Sequence, residues 1–182
     1  SPEGSKRLQN TTYAPDSAIL QDYAYQYIYD SRGNLACKRL PGAGYIYFVY
    51  DNHRRMVASQ DANQNEKEEW TLCKYDNFDR IAGQRLVSAT LASVKANYAA
   101  LYNGSADVIS VYRYDDYTGV SLAYDRTAVP GLPASHDTRT TGFKTYEKVR
   151  VLDGGNTFIE RAFYYDARGR LIQTVEKNLL GT

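Results

Sequence analysis

Five aspartates, each preceded by a tyrosine and followed five positions on by an aliphatic residue or Met, carry the carboxylates most able to do chemistry in this chain. They are Asp30, Asp51, Asp76, Asp115 and Asp166. A Ca²⁺ site would need several of these oxygen ligands to converge on one point. Each Asp instead takes the equivalent place in its own segment, roughly twenty or more residues from the next, which is a spacing typical of repeats. The pattern therefore predicts that each carboxylate caps a turn and that the chain binds no metal ion or cofactor.

The remaining reactive side chains have no partners at the spacing that chemistry requires. His53 and His136 lack a Cys, His or carboxylate at metal-ligand spacing, so we expect both to be exposed and solvated. Cys37 and Cys73 fall on predicted strands and are interpreted as free buried thiols rather than a disulfide. The sequence contains no P-loop, nucleophile elbow, zinc-protease motif or dinucleotide fingerprint. It therefore offers no catalytic residue, and we expect no enzymatic activity.

The aromatic side chains leave two interpretations open. The chain has 18 Tyr, five Phe and one Trp, and exposed rings can stack on sugars. Trp70, beside Glu68 and Glu69, is the candidate sugar contact. Tyr residues that alternate along strands more often pack across a sheet, at roughly 0.2–1 kcal/mol per pair. We therefore expect no pocket centred on Trp70, and rings that are mostly buried or stacked at Tyr25, Tyr27, Tyr47, Tyr50, Tyr75, Tyr114 and Tyr165.

A β-hairpin is predicted around each Tyr-Asp pair. The clearest spans 163–174, FYYDARGRLIQT, where Asp166 favours the start of a type I turn and Gly169 can adopt the left-handed conformation that follows it. An aliphatic residue or Met stands five positions after each Asp: Leu35, Met56, Ile81, Val120 and Leu171. Arg54, Asp79 and Thr118 replace the glycine in three copies. The repeat residues are Tyr29, Asp30, Gly33, Tyr50, Asp51, Tyr75, Asp76, Tyr114, Asp115, Tyr165, Asp166 and Gly169.

This repeated Tyr-Asp-x-x-Gly-Arg-Leu pattern resembles the signature of RHS, or YD, repeats in large surface or secreted proteins of Bacteroidetes-like bacteria. The resemblance covers most of 23–178 apart from two insertions. It implies hairpins that spiral into a continuous sheet, which closes into a shell in larger members. It also implies a structural, non-catalytic role at the cell surface or outside the cell, with carbohydrate binding as the alternative. Toxin-associated members carry a self-cleaving region, and this chain has no Asp-Pro-x-Gly segment of that kind.

The predicted fold is all-β and mainly antiparallel, with successive hairpins in one strongly twisted, open or partly closed sheet of about eight to ten strands. Residues 1–15 are predicted to be a flexible leader, and 16–182 the repeat domain. Helical spacing predicts one inserted α-helix over 88–102, with Ser88 as its N-cap. A strand over 120–124 is expected to pair with 108–114, an irregular loop to follow over 126–142, and a hairpin turn to form at 153–156.

Bulk properties limit the partners. A net charge of +1 and a pI of about 7.7 give no support for nucleic acid binding. No apolar run is long enough to span a membrane. The chain's one Met is Met56, and we interpret the chain as a segment of a larger protein. The expected partners are other repeats or domains of the same parent chain, with cell-surface carbohydrate as the alternative. A second copy could also pair through an edge strand.

Overall fold

The structure, a computed structural model, describes residues 23–127, 129–151 and 155–178. These residues form a ten-stranded open antiparallel sheet whose strands follow one another in chain order, which confirms the predicted fold class. Two helices, α1 (Ala62–Glu66) and α2 (Leu91–Gly104), lie between strands in the sequence. The predicted leader 1–15 and part of the predicted turn at 153–156 lie outside the described residues. The strands are β1 (Gln26–Tyr29), β2 (Leu35–Arg39), β3 (Tyr45–Tyr50), β4 (Met56–Gln60), β5 (Glu69–Tyr75), β6 (Ile81–Ser88), β7 (Val108–Asp115), β8 (Thr140–Arg150), β9 (Phe158–Tyr165) and β10 (Leu171–Lys177).

Strand register explains the spacing of the repeat. In three copies the Tyr before the Asp pairs with the aliphatic residue or Met five positions after that Asp, and the register shifts at this point, as a β-bulge requires. A hairpin closed by a type I turn and a left-handed residue has this geometry. The observed pairs are Tyr29 with Leu35, Tyr50 with Met56 and Tyr165 with Leu171.

The chain divides into two compact units, and the first comprises residues up to Cys73 together with Leu86–Ser105. Its buried residues include Val57, Leu72 and Val94. Cys37 and Cys73 are both buried and free, as predicted, and burial raises the pKa of the Cys37 thiol.

The helices of this unit begin at residues with side-chain acceptors. The predicted N-cap Ser88 was wrong, because β6 continues through Ser88 and the helix is capped by Thr90, whose hydroxyl accepts from the Ser93 N–H. The backbone of α2 is interrupted at Asn97, where φ is −153°. The short helix α1 was not predicted. It begins at Asp61, which forms a reciprocal capping box with Gln64.

The second unit comprises Lys74–Arg85 and the chain from Ala106 onward. Here the predicted strand over 120–124 was wrong, because β7 pairs with β8 instead. Residues 120–124 pack through their side chains and form no strand. Leu122 is buried in a cluster with Ala162 and Tyr164, and the Tyr164 hydroxyl donates to the Leu122 carbonyl. The irregular loop also ends earlier than predicted, because β8 begins at Thr140.

Candidate functional site

Four of the five repeat aspartates cap their own turns in the same way, which confirms the predicted role. At Asp166, Oδ1 accepts from the N–H groups of Arg168 and Arg170, each at 2.9 Å, and Oδ2 accepts from Arg170 Nε at 2.7 Å. The backbone closes the turn through the Gly169 N–H, which donates to the Asp166 carbonyl at 2.9 Å. The same pattern, with the N–H groups two and four residues on and a side-chain donor four residues on, recurs at Asp30, Asp51 and Asp76.

The side-chain donor four positions after the Asp was missed by the sequence reasoning. The sequence does contain a signal for this donor. The fourth residue after the Asp has side-chain N–H groups in each of the four copies: Asn34, Arg55, Arg80 and Arg170. These donors stabilise the charged carboxylate. The bond from the Arg170 guanidinium, followed by the Arg170 N–H, lowers the pKa of Asp166. Burial alone would raise the pKa of Asp51, but the bonds from Arg55 and His53 outweigh it and lower that pKa.

The turn residue before the side-chain donor adopts a left-handed backbone even where it is not glycine. Gly33 and Gly169 have φ of +80° and +74°, as predicted. Arg54 and Asp79 stand at the same turn position with φ of +63° and +62°. Such angles are strained for residues with a Cβ. The Asp-centred hydrogen bonds are therefore strong enough to impose the turn without the glycine.

The fourth copy departs from this pattern. Asp115 has φ of +73° and accepts no hydrogen bond from its own turn. Its carboxylate instead takes two bonds from the Arg80 guanidinium, at 2.9 and 2.5 Å, and one from the Gly142 N–H at 2.7 Å. The bonds from Arg80 are the main reason that the pKa of Asp115 falls to about 2.

Arg80 thus joins two Tyr-Asp copies. Its Nε donates to Asp76 at 2.7 Å while its other nitrogens hold Asp115. The guanidinium also lies 4.2 Å from the Tyr114 ring centroid and 5.1 Å from that of Phe78. A cation with two carboxylates and two rings around it is fully engaged, so this cluster orders the turns.

Trp70 and Glu68 meet at one cavity, whereas Glu69 does not line it. The cavity has a volume of about 370 Å³ and is also lined by Tyr47 and Asn65. Trp70 is one of eight residues that line this cavity, and the expectation that no pocket is centred on Trp70 stays a prediction. Trp70 is nonetheless only 2% exposed, so it offers no open ring face. The remaining lining residues are Gln60, Ala89, Thr90 and Leu91.

The two histidines have different surroundings. His53 is exposed, as predicted. His136 was predicted to be solvated, but it packs among Tyr117, Tyr124 and Tyr164 with ring centroids 4.6, 5.6 and 4.7 Å away. Its Nδ1 lies 3.0 Å from its neighbour's carbonyl oxygen at Asp137. Within the described ranges, no three His, Cys, Asp or Glu side chains come together as a metal site would require.

The tyrosine rows are only partly packed. Tyr25 and Tyr27 were predicted to be covered but are exposed on β1 and the residue before it, so this expectation was wrong. The others are half-buried, and Tyr165 stacks on Phe143 with ring centroids 4.7 Å apart. The rings of this set lie on strands with neighbours on both sides and are half-buried, whereas the rings at the first strand are exposed. The half-buried set is Tyr47, Tyr50, Tyr75, Tyr114 and Tyr165.

These contacts define the carboxylate clusters as structural. No protein-family model matches the chain, and no curated protein matches its sequence. Neither helix in the described part of the chain combines the length and apolar character needed to cross a membrane.

Proposed function

We propose that this chain is a non-catalytic structural scaffold segment, a run of Tyr-Asp hairpins in a large cell-surface or secreted bacterial protein of the RHS/YD-repeat type. Its partners are then other repeats or domains of the same parent chain. One observation supports this most: each repeat carboxylate accepts three hydrogen bonds, from its own turn in four copies and from Arg80 and Gly142 in the fourth copy, at Asp115. A carboxylate held in this way would give up those contacts if it acted as a nucleophile, a general base or a metal ligand.

Contacts between successive turns give the scaffold its cohesion. Arg32, in the first turn, donates to the Asn52 carbonyl of the second turn at 2.9 Å. In the second unit, Arg80 links the third copy to Asp115 of the fourth. Single hairpins are marginal in water, and a repeat array is stabilised by interfaces between neighbours. Side chains that link one turn to the next therefore provide the interfaces that stabilise a repeat array.

Native-state amide exchange tests the scaffold role. Asp51→Asn removes the carboxylate charge of the second turn, and the scaffold proposal expects faster exchange in that hairpin and also in the first hairpin, which donates to it through Arg32. His53→Ala, in the same turn but at an exposed side chain, is the matched control and should leave both hairpins protected. Faster exchange confined to the substituted turn would argue against mutual support.

A carbohydrate-binding module is the second candidate, because Glu68 and Trp70 share a cavity with Tyr47 and Asn65. Pockets of this volume, with aromatic walls and a few polar groups, bind small ligands. The buried position of Trp70 makes this candidate the weaker one, since no ring face is open for stacking on a sugar.

Trp70 is the chain's single tryptophan, so its fluorescence reports on this cavity directly. In a glycan panel titrated into the full chain, the scaffold proposal expects no saturable change. Glu68 has φ of +54°, so Glu68→Gly removes the carboxylate without backbone strain. Saturable quenching at sub-millimolar sugar that disappears in a Glu68→Gly protein of unchanged melting temperature would replace the scaffold proposal with the binding module.

A further inference from the structure

The first strand of the sheet carries apolar side chains that are largely exposed. Tyr25, Tyr27, Ile28 and Tyr29 are 64%, 51%, 55% and 61% exposed. Within the described part of the chain, β1 pairs with β2 alone. Its far edge therefore presents backbone N–H and C=O groups flanked by rings, and no charged residue lies within β1. Native proteins usually protect such an edge with charges, prolines or bulges.

Elsewhere in the sheet, a strand with the same mixture of Tyr and aliphatic residues as β1 has a neighbouring strand on both sides. β3 has the same mixture of Tyr and aliphatic residues, but it pairs with both β2 and β4 and its rings are largely covered. β10, which pairs with β9, instead ends in Glu176 and Lys177. Glu176 is also paired with Arg161 at 2.5 Å. β10 thus carries the charges that discourage strand addition, whereas β1 does not.

We propose that a second copy of this chain pairs with β1 through its own β1, antiparallel and about a two-fold axis at Tyr27. In this register Tyr27 faces the partner's Tyr27, and Tyr25 faces the partner's Tyr29. Ile28 faces the partner's Gln26, and no charged side chain meets another. An isologous interface must be self-complementary in this way. Three tyrosines at alternate positions, symmetric about the middle one, satisfy that requirement, and aromatic pairs across strands stabilise a sheet.

The exposed apolar area of the side chains at β1 predicts how strongly the two copies associate. A large aromatic side chain buries roughly 150–250 Å². Four large apolar side chains that are each half or more exposed therefore contribute at most about 400 Å² per copy, or about 800 Å² for the pair. Specific interfaces usually bury at least about 1,200 Å². The pairing is therefore a weak association, with a dissociation constant in the micromolar range or above, and not an obligate dimer.

Sedimentation velocity of the full chain over a concentration series from micromolar to about millimolar tests the proposal. We expect reversible dimerisation, weakened at least tenfold by Tyr27→Lys because the self-facing position then opposes two positive charges. Val129→Lys is the matched control, since Val129 is 56% exposed outside β1 and should not matter. Mixing the Tyr27→Lys and Tyr27→Glu proteins should restore a heterodimer. A chain that remains monomeric throughout, or a dimer insensitive to Tyr27→Lys, would overturn the proposal.

Cysteine cross-linking tests the register independently. Facing residues in an antiparallel pair have Cα atoms about 4.5–5.5 Å apart, within the span of a disulfide. Under mild oxidation Tyr27→Cys should form a covalent dimer, and Tyr25→Cys alone should not. The native thiols of Cys37 and Cys73 are buried and should not contribute. Equal cross-linking of both variants would contradict the two-fold register. Because this pairing is independent of the turns, its failure would leave the scaffold proposal standing.

Discussion

Replacing the buried repeat aspartate should cost far more stability than replacing an exposed one. Asp51 is 8% exposed and accepts from the His53 N–H at 2.8 Å, from the Arg55 N–H at 3.0 Å and from Arg55 Nε at 2.8 Å. Asp51→Ala removes the carboxylate that accepts from the Arg55 guanidinium and from the Arg55 N–H, while water can reach the exposed residue His53. A charge-assisted hydrogen bond contributes about 1.5–3 kcal/mol, so the expected loss is about 2–3 kcal/mol.

Urea unfolding followed by circular dichroism measures this loss directly. Asp51→Asn keeps an oxygen for the backbone donors but loses the ion pair with Arg55, so it should lose less stability than Asp51→Ala. Asp30→Ala is the matched control, because Asp30 has the same kind of acceptor pattern in a more exposed turn and its side-chain donor is the neutral Asn34. If Asp51→Ala loses no more stability than Asp30→Ala, the turn bonds are not what stabilises the hairpin.

Three further substitutions probe the turns. Arg54→Gly should raise stability by about 0.5–1 kcal/mol in thermal melts, because relief of a left-handed φ of +63° exceeds the entropy that glycine loses; a lower melting temperature would contradict this. Gly169→Val should destabilise, since φ is +74° and a Cβ would lie 2.8 Å from Phe143 Cζ, and an unchanged urea midpoint would refute it. Asp115 has a pKa lowered from 3.8 to about 2, so its contribution is complete above about pH 4 and is lost as the pH falls towards 2. Unfolding free energies measured across that range should fall in the native chain more than in Asp115→Asn, and parallel curves would contradict the assignment.

The hairpins could be predicted from the sequence because their information is local. A Tyr-Asp pair, a turn of four residues and an aliphatic partner specify both the turn and the register. The same local rule fails at Asp115, where Gly119 stands four positions on and offers no side-chain donor. There the Arg80 guanidinium, 35 positions away in sequence, binds the carboxylate. The missing local donor is visible in the sequence, but the identity of Arg80 as the partner is not, since the same Arg also serves the expected role at Asp76.

The other differences also come from long-range contacts. The segment around Leu122 has the apolar alternation of a strand, but packing against Tyr164 uses its side chains and leaves its backbone unpaired with β7. Ser88 and Thr90 can both cap a helix, but Ser88 is the last residue of β6, so the helix begins after Thr90. The backbone is still engaged at Ala89, whose N–H donates to the Glu68 carbonyl at 2.9 Å. Trp70 follows charged residues in the sequence, which gave no sign that its ring is buried.

The connections between one hairpin and the next vary greatly in form while the strand order does not change. Residues 40–44 form a short turn, α1 with its capping residues fills 61–67, and α2 occupies most of the path from β6 to β7. The Asp turns set the register within each hairpin, so a connection of another length leaves that register unchanged. The connections that bury no side chain, residues 40–44 and α1, are therefore natural sites for inserted sequence, whereas α2 packs Val94 and Tyr102 into the core.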